Sequence, residues 1–264
     1  NRDTSWLQQM GGPRVRRWDG VKDAINAIVN DTTLTTGAHF GFGHWNAGRS
    51  GKGKNSAMGG AYCHRNDKCT YYDSWKGEHP AGTSSLCNTD SCLNVGISSK
   101  GASQIMKVLE PMGLAWGTDS QAFSGIATKY FNDPNAGGLV FDEDSLCQLN
   151  YVIVIGDGAM TNTGIGKAVD GVNIGHANKG ESIGRMEELR KKGIKSLYVA
   201  YGGGIKGKSM SMFKTFARAG SCATLGDKDC EEVIIADTPE ELKSELTSKI
   251  RQIIADKLAF TAPS

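Results

Sequence analysis

The chain has 264 residues, 39% of them hydrophobic and 22% charged, with a formal net charge of +2. Such a chain can bury one sizeable core, so a single domain over 1–264 is expected, and its near-balanced charge points to no polyanionic partner, nucleic acid included. No apolar stretch approaches the roughly 20 residues of a spanning helix, which excludes a helical membrane span.

Val21, Ala24, Ile25, Ile28 and Val29 recur at helical spacing and predict an amphipathic helix over 18–30, broken by Asp31-Thr32-Thr33. Residues 38–45 alternate loosely and carry Phe40 and Phe42, which suits a strand despite two glycines. From 46 to 91 no period is sustained; turn residues, charges and cysteines mark a long inserted loop, tied by disulfides where burial cannot hold it. A short strand resumes at 93–98. Ile105, Met106, Val108 and Leu109 then give a helix ending before Pro111, and Phe123, Ile126, Ala127 and Tyr130 mark one face of a helix over 120–131.

The strongest local signal is Tyr151-Val152-Ile153-Val154-Ile155 running into Gly156-Asp157-Gly158. It reads as a buried parallel strand that delivers one carboxylate to its C-terminal end, the edge at which open α/β sheets bind ligands. The flanking glycines let the backbone bend and approach closely. The plainest chemical role for Asp157 is therefore to hold a hard cation; the competing role is a turn aspartate that caps the next helix.

After a glycine-rich connection, a helix over 183–192 stops at Gly193, an apolar strand covers 194–201, and a helix over 210–219 stops at Gly220. The last helix is the best marked. Thr238 is its N-cap, Pro239 lies in its first turn, Glu241 completes a capping box, and Leu242, Leu246, Ile250, Ile253, Ile254 and Leu258 form its apolar stripe. Strands alternating with helices imply an α/β fold, a doubly wound, mostly parallel sheet with helices on both faces.

Six of the seven cysteines form close pairs in sequence: Cys63 with Cys69, Cys87 with Cys92, and Cys222 with Cys230. Local disulfides in an oxidising, extracellular compartment follow from that clustering; zinc is the competing reading, but the first two spacings are looser than zinc knuckles. Cys147 has no close neighbour and is either a free buried thiol or paired outside the chain. No signal peptide is visible, and Asn1 suggests a processed or trimmed chain.

A second loop, Gly117-Thr118-Asp119-Ser120, opens the helix after Trp116 and falls where strand ends would converge. The Thr118 hydroxyl and the Asp157 carboxylate, completed by water, suit Mg²⁺; alone, Thr118 reads as an N-cap. The order of elements resembles a von Willebrand factor A domain. More narrowly, Lys129-Tyr130-Phe131 closing one helix and Cys147-Gln148-Leu149-Asn150 leading into the Gly156-Asp157-Gly158 turn are similar to the N-terminal domain of the PilC/PilY family of type IV pilus tip adhesins. The similarity extends through Leu197-Tyr198-Val199-Ala200-Tyr201-Gly202 to the final helix and leaves 46–91 outside.

The resemblance implies a secreted bacterial module, not an enzyme, at the cell surface or pilus tip, binding pilus subunits or a host or surface receptor. It also implies Mg²⁺ or Ca²⁺ held by Thr118 and Asp157, which match the second and third elements of a metal-ion-dependent adhesion site. The first element, Asp-x-Ser-x-Ser after an opening strand, is not found: Asp3-Thr4-Ser5 offers only its first half. Gly156 also stands where that family has threonine or serine.

The rival class is an enzyme, because Gly156-Asp157-Gly158-Ala159-Met160-Thr161 also looks like the start of a thiamine-diphosphate motif. That motif needs an asparagine near a second strand end, and the segment around Gly184-Arg185-Met186-Glu187-Glu188 has none. Gly48-Arg49-Ser50-Gly51-Lys52-Gly53-Lys54 lacks phosphate-loop spacing and reads as a solvated basic loop. The histidines at 39, 44, 64, 79 and 176 show no catalytic or ligand pattern; strand packing is expected for His39 and His44, exposure for the rest. Trp45, Trp75 and Tyr71-Tyr72 would furnish an adhesive surface if the bridged loop exposes them, against ordinary packing under that loop.

Overall fold

The computed structural model describes residues 17–45, 70–73, 77–80, 91–110, 120–132, 149–158, 160, 182–222, 230 and 233–261. In chain order they form α1 (Arg17–Asn30), α2 (Thr32–Thr35), β1 (Phe40–Trp45), β2 (Thr70–Asp73), β3 (Gly77–Pro80), β4 (Ser91–Ser98), α3 (Gly101–Leu109), α4 (Ser120–Asn132), β5 (Asn150–Gly156), α5 (Ser182–Lys191), β6 (Ile194–Tyr201), α6 (Lys208–Ser221), β7 (Ile234–Ala236) and α7 (Pro239–Thr261). The fold is mixed α/β.

Asp31 ends α1 and starts α2. Its carboxylate accepts from the Thr33 N–H at 2.9 Å and from the Thr33 hydroxyl at 2.6 Å, so the polar triplet expected to break one helix also caps the next. At α7 the expected capping box is present: the Glu241 N–H donates to Thr238 Oγ1 at 3.1 Å, and Glu241 Oε2 accepts from the Thr238 N–H at 3.2 Å.

The described strands form two sheets rather than the one expected from the alternation of elements. One has the order β5-β6-β7 and is wholly parallel. The other has the order β1-β4-β2-β3, with β1/β4 and β2/β3 antiparallel and one parallel bridge, Tyr72 to Val95, joining β2 to β4. The 46–91 segment, expected to be loop, thus contributes β2 and β3. Thr70-Tyr71-Tyr72-Asp73 and Gly77-Glu78-His79-Pro80 are too short and too polar to show a period of their own, and pairing with each other supplies their backbone partners.

Alternate residues of β6 face opposite cores. Tyr198 and Ala200 join Phe123 and Tyr130 of α4, Met186 and Leu189 of α5, and Phe213 and Phe216 of α6. Val199 and Tyr201 join Ala24 and Ile28 of α1 with Leu242, Leu246 and Ile250 of α7. Helices therefore cover both faces of the parallel sheet. A third cluster, Val29, Val95, Ile105 and Val108, packs against Phe40 and Phe42 beneath α1 and α3.

Cys222 and Cys230 are joined by a disulfide; the other two expected bridges and Cys147 rest on residues outside the described ones. His39 is exposed and precedes β1, contrary to the strand packing expected of it, because the strand begins only at Phe40. His44 is buried as expected, its Nδ1 2.6 Å from Asn94 Oδ1.

Candidate functional site

The C-terminal edge of the parallel sheet collects Asp157 after β5, Gly202-Gly203-Gly204 after β6 and Asp237 after β7. Parallel strands of similar reach bring these turns side by side: Gly156 pairs with Ala200, and Tyr201 with Ala236. Gly202 adopts a left-handed φ of 94°, and its N–H donates to the Ala236 carbonyl at 2.7 Å, joining the ends of β6 and β7. A Cβ at Gly202 would lie 2.8 Å from Arg17 Nε, and one at Gly203 would lie 3.6 Å from Asp237 Oδ1. Glycine is thus required at 202 by conformation and by the approach of the arginine.

Arg17 opens α1 at this edge. Its Nη1 donates to the Asp157 carbonyl at 3.0 Å and stands 3.9 Å from Asp157 Oδ2. The arginine side chain is 17% exposed and that of Asp157 54%. The Asp157 main chain is thus tied to Arg17, and its carboxylate is about half exposed. Beneath it, Tyr201 is buried, and burial pushes its phenol up to about 12; Arg17 pulls it down, while Glu240, Asp157 and Asp23 push it up.

Thr118 lies outside the described residues, so the expected meeting of Thr118 with Asp157 is not placed. The helix that Thr118 was expected to cap does begin at Ser120, whose hydroxyl donates to Ser182 Oγ at 3.0 Å, joining the buried starts of α4 and α5. Among the described residues no group of three or more His, Cys, Asp or Glu side chains is gathered to hold a metal ion. The described part of the edge offers an Asp157 carboxylate with a guanidinium beside it, an arrangement that weakens attraction for a cation.

No family model matches this chain, and no curated protein or solved structure matches it. Arg17 and Asp237 were not singled out in the sequence: Arg17 closes the run Arg14-Val15-Arg16-Arg17, which reads as solvated charge, and Asp237 is overshadowed by the helix cap beside it. The available signal was positional, since Asp157, Gly202 and Asp237 each follow directly on an apolar run. Among the described residues no helix is long and apolar enough to cross a membrane.

Proposed function

We propose that this chain is a non-enzymatic binding module of von Willebrand A type, with a doubly wound sheet, that works outside the bacterial cell at a surface or pilus tip. It engages a pilus subunit or surface receptor through the C-terminal edge of the parallel sheet. The observation that carries this reading is the Asp157 carboxylate, directed to solvent from a turn whose backbone is fixed by Arg17. A main chain fixed by Arg17 and presenting an exposed acidic group suits recognition of a basic side chain, or of a partner carboxylate through a bridging cation. The resemblance to PilC/PilY adhesins supports the pilus-tip setting, and the Cys222–Cys230 disulfide supports an oxidising compartment.

If Mg²⁺ or Ca²⁺ binds, Asp157 and Thr118 are its side-chain ligands and water fills the rest of the shell. The Arg17 guanidinium competes for the same carboxylate, so affinity is weak. Calorimetric titration with Mg²⁺ and with Ca²⁺ tests this: binding weaker than micromolar is expected, abolished by Asp157→Ala and strengthened by Arg17→Gln. Cation binding that Asp157→Ala leaves unchanged would remove this edge from the reading. The thiamine-diphosphate alternative rests on the turn alone, and α5, Ser182–Lys191, carries no asparagine for the second metal contact. Saturable micromolar binding of thiamine diphosphate with Mg²⁺ would reverse the choice.

A further inference from the structure

The whole-chain charge of +2, which points to no polyanionic partner, conceals an uneven distribution. Between Ser182 and Cys222, the stretch that forms α5, β6 and α6, nine lysines and arginines stand against two acids, Glu187 and Glu188. α5 and α6 cover one face of the parallel sheet. α1 and α7, on the other face, carry six basic and six acidic residues. The excess belongs to one helical layer.

Within that layer the charge follows α6, which contains no acid at all. Lys206, Lys208 and Lys214 are exposed and Arg218 is half-buried. Gly220, in the last turn, packs directly on Ser196 near the start of β6, which carries the line toward the exposed Lys191 and Lys192 just before that strand. Cations on the opposite face find partners, Arg17 at Asp157 and Arg251 at Asp31. Among the described residues Lys206, Lys208, Lys214 and Arg218 form no ion pair. Bases are ordinarily drawn to helix C-termini, which accounts for Arg218 and Lys191. It does not account for the other end of α6. That helix begins at Lys208 behind Gly207, with no side-chain cap and no acid in its first turn, so two lysines sit at the positive end of its macrodipole. Lys214 and Arg218, one turn apart, repel each other as well. An arrangement that costs the free protein stability on both counts is relieved when an anion lies along it.

We propose that this face of α6 binds a linear sulfated polysaccharide. α6 rises about 20 Å over its 14 residues, and a line of separate cations along it matches a chain that bears charge on successive sugar units. The exposed members are all lysines, compact point charges that lack the bidentate fork arginine offers to phosphate, which favours this partner over a nucleic-acid backbone. Phe213 and Phe216 of α6 are 0% exposed, so neither ring can stack on a base. Among the described residues no exposed large hydrophobic side chain lies on α5 or α6, so this layer has no apolar anchor for a lipid surface.

Heparin tests the proposal on the full chain, by fluorescence titration at about 50 mM salt, where counterion release favours binding. The expected result is saturable binding that Lys214→Gln/Arg218→Gln weakens at least ~10-fold, with the slope of log affinity against log salt flattened by about 1.5. Lys243→Gln/Lys249→Gln on α7 changes the net charge by the same amount and should leave affinity within ~2-fold. Lys206→Gln/Lys208→Gln, at the other end of α6, gives a second reading should the half-buried Arg218 be needed for folding. No saturable binding of heparin, an affinity untouched by both α6 variants, or equal weakening by the α7 variant would overturn the proposal. So would tighter binding of duplex DNA, or of phosphatidylglycerol vesicles, than of heparin.

Discussion

β5 and β6 pair in register along their whole length, Asn150 with Ile194 through Gly156 with Ala200, yet seven of the eight β6 residues are buried against three of the seven in β5. Composition does not explain this, since β5 is the more apolar of the two: β6 contains Lys195 and Ser196, whereas β5 runs Tyr151-Val152-Ile153-Val154-Ile155. Position does. Among the described strands β6 has a neighbour on either side, whereas β5 is an end strand of its sheet. The cover that β5 lacks there forfeits about 25 cal/mol for every Å² of apolar surface left in water.

The largest expected effect lies in β6. Leu197→Ala, at a position with 0% exposure, should cost about 2–5 kcal/mol by urea denaturation. Ile153→Ala in β5, half-buried, should cost roughly half as much. Equal costs would dissolve the contrast between the strands. Next in size is the Cys222–Cys230 bridge, which ties the end of α6 to the approach of β7 across a sequence separation of 8. Its reduction should remove on the order of 2–3 kcal/mol, with hydrogen exchange rising in β6 and β7 before it rises in β4. Simultaneous loss in both sheets would show that they unfold as one unit.

The β1–β4 sheet has an acid-side pH signature carried by His44 of β1. Burial holds the His44 pKa below its ordinary 6.5, against the hydrogen bond to Asn94 Oδ1 that raises it. The unfolded chain therefore binds the proton more tightly than the folded one. The stability contributed by neutral His44 is complete above about 6.5 and is lost as pH falls through the folded-state value. His44→Gln should flatten the pH dependence of stability below about 6.5, followed by hydrogen exchange of β4 amides. A profile unchanged by the substitution would place the titrating group elsewhere.

Helices α1, α3, α4, α5, α6 and α7 and strands β1, β4, β5 and β6 were legible because each carries its own period or its own stop signal, such as Gly193 after α5 or Thr238 before α7. β2 and β3 were not, because their order comes from pairing with each other and from the Tyr72–Val95 bridge, which is information held by distant residues. β7 was missed for a related reason: three residues, Ile234–Ala236, are too few to show alternation, and register with Val199–Tyr201 defines them. At the candidate site, Asp157 was visible from glycine punctuation. Arg17 was not, since nothing in a run of arginines tells which one a fold will draw 140 residues across to a turn.

The smallest expected effect is at that turn, and it separates presentation from support. Asp157→Ala keeps the carbonyl that accepts from Arg17 and removes only a side chain that is 54% exposed, so stability should stay within about 0.5 kcal/mol of the parent. Tyr201 below supplies an internal reporter. Asp157 is one of the charges that push its phenol up, so the substitution should lower the Tyr201 pKa from about 12 in a spectrophotometric titration even though the fold is unchanged. Arg17→Gln should raise it, because the guanidinium is what pulls the phenol down. Opposite shifts from the two variants, with stability intact in the first, would show a carboxylate electrostatically coupled to the core that the fold does not depend on. A stability loss above 1.5 kcal/mol for Asp157→Ala would mean that the carboxylate holds the sheet edge together, and a residue so occupied is a poor candidate for binding anything else.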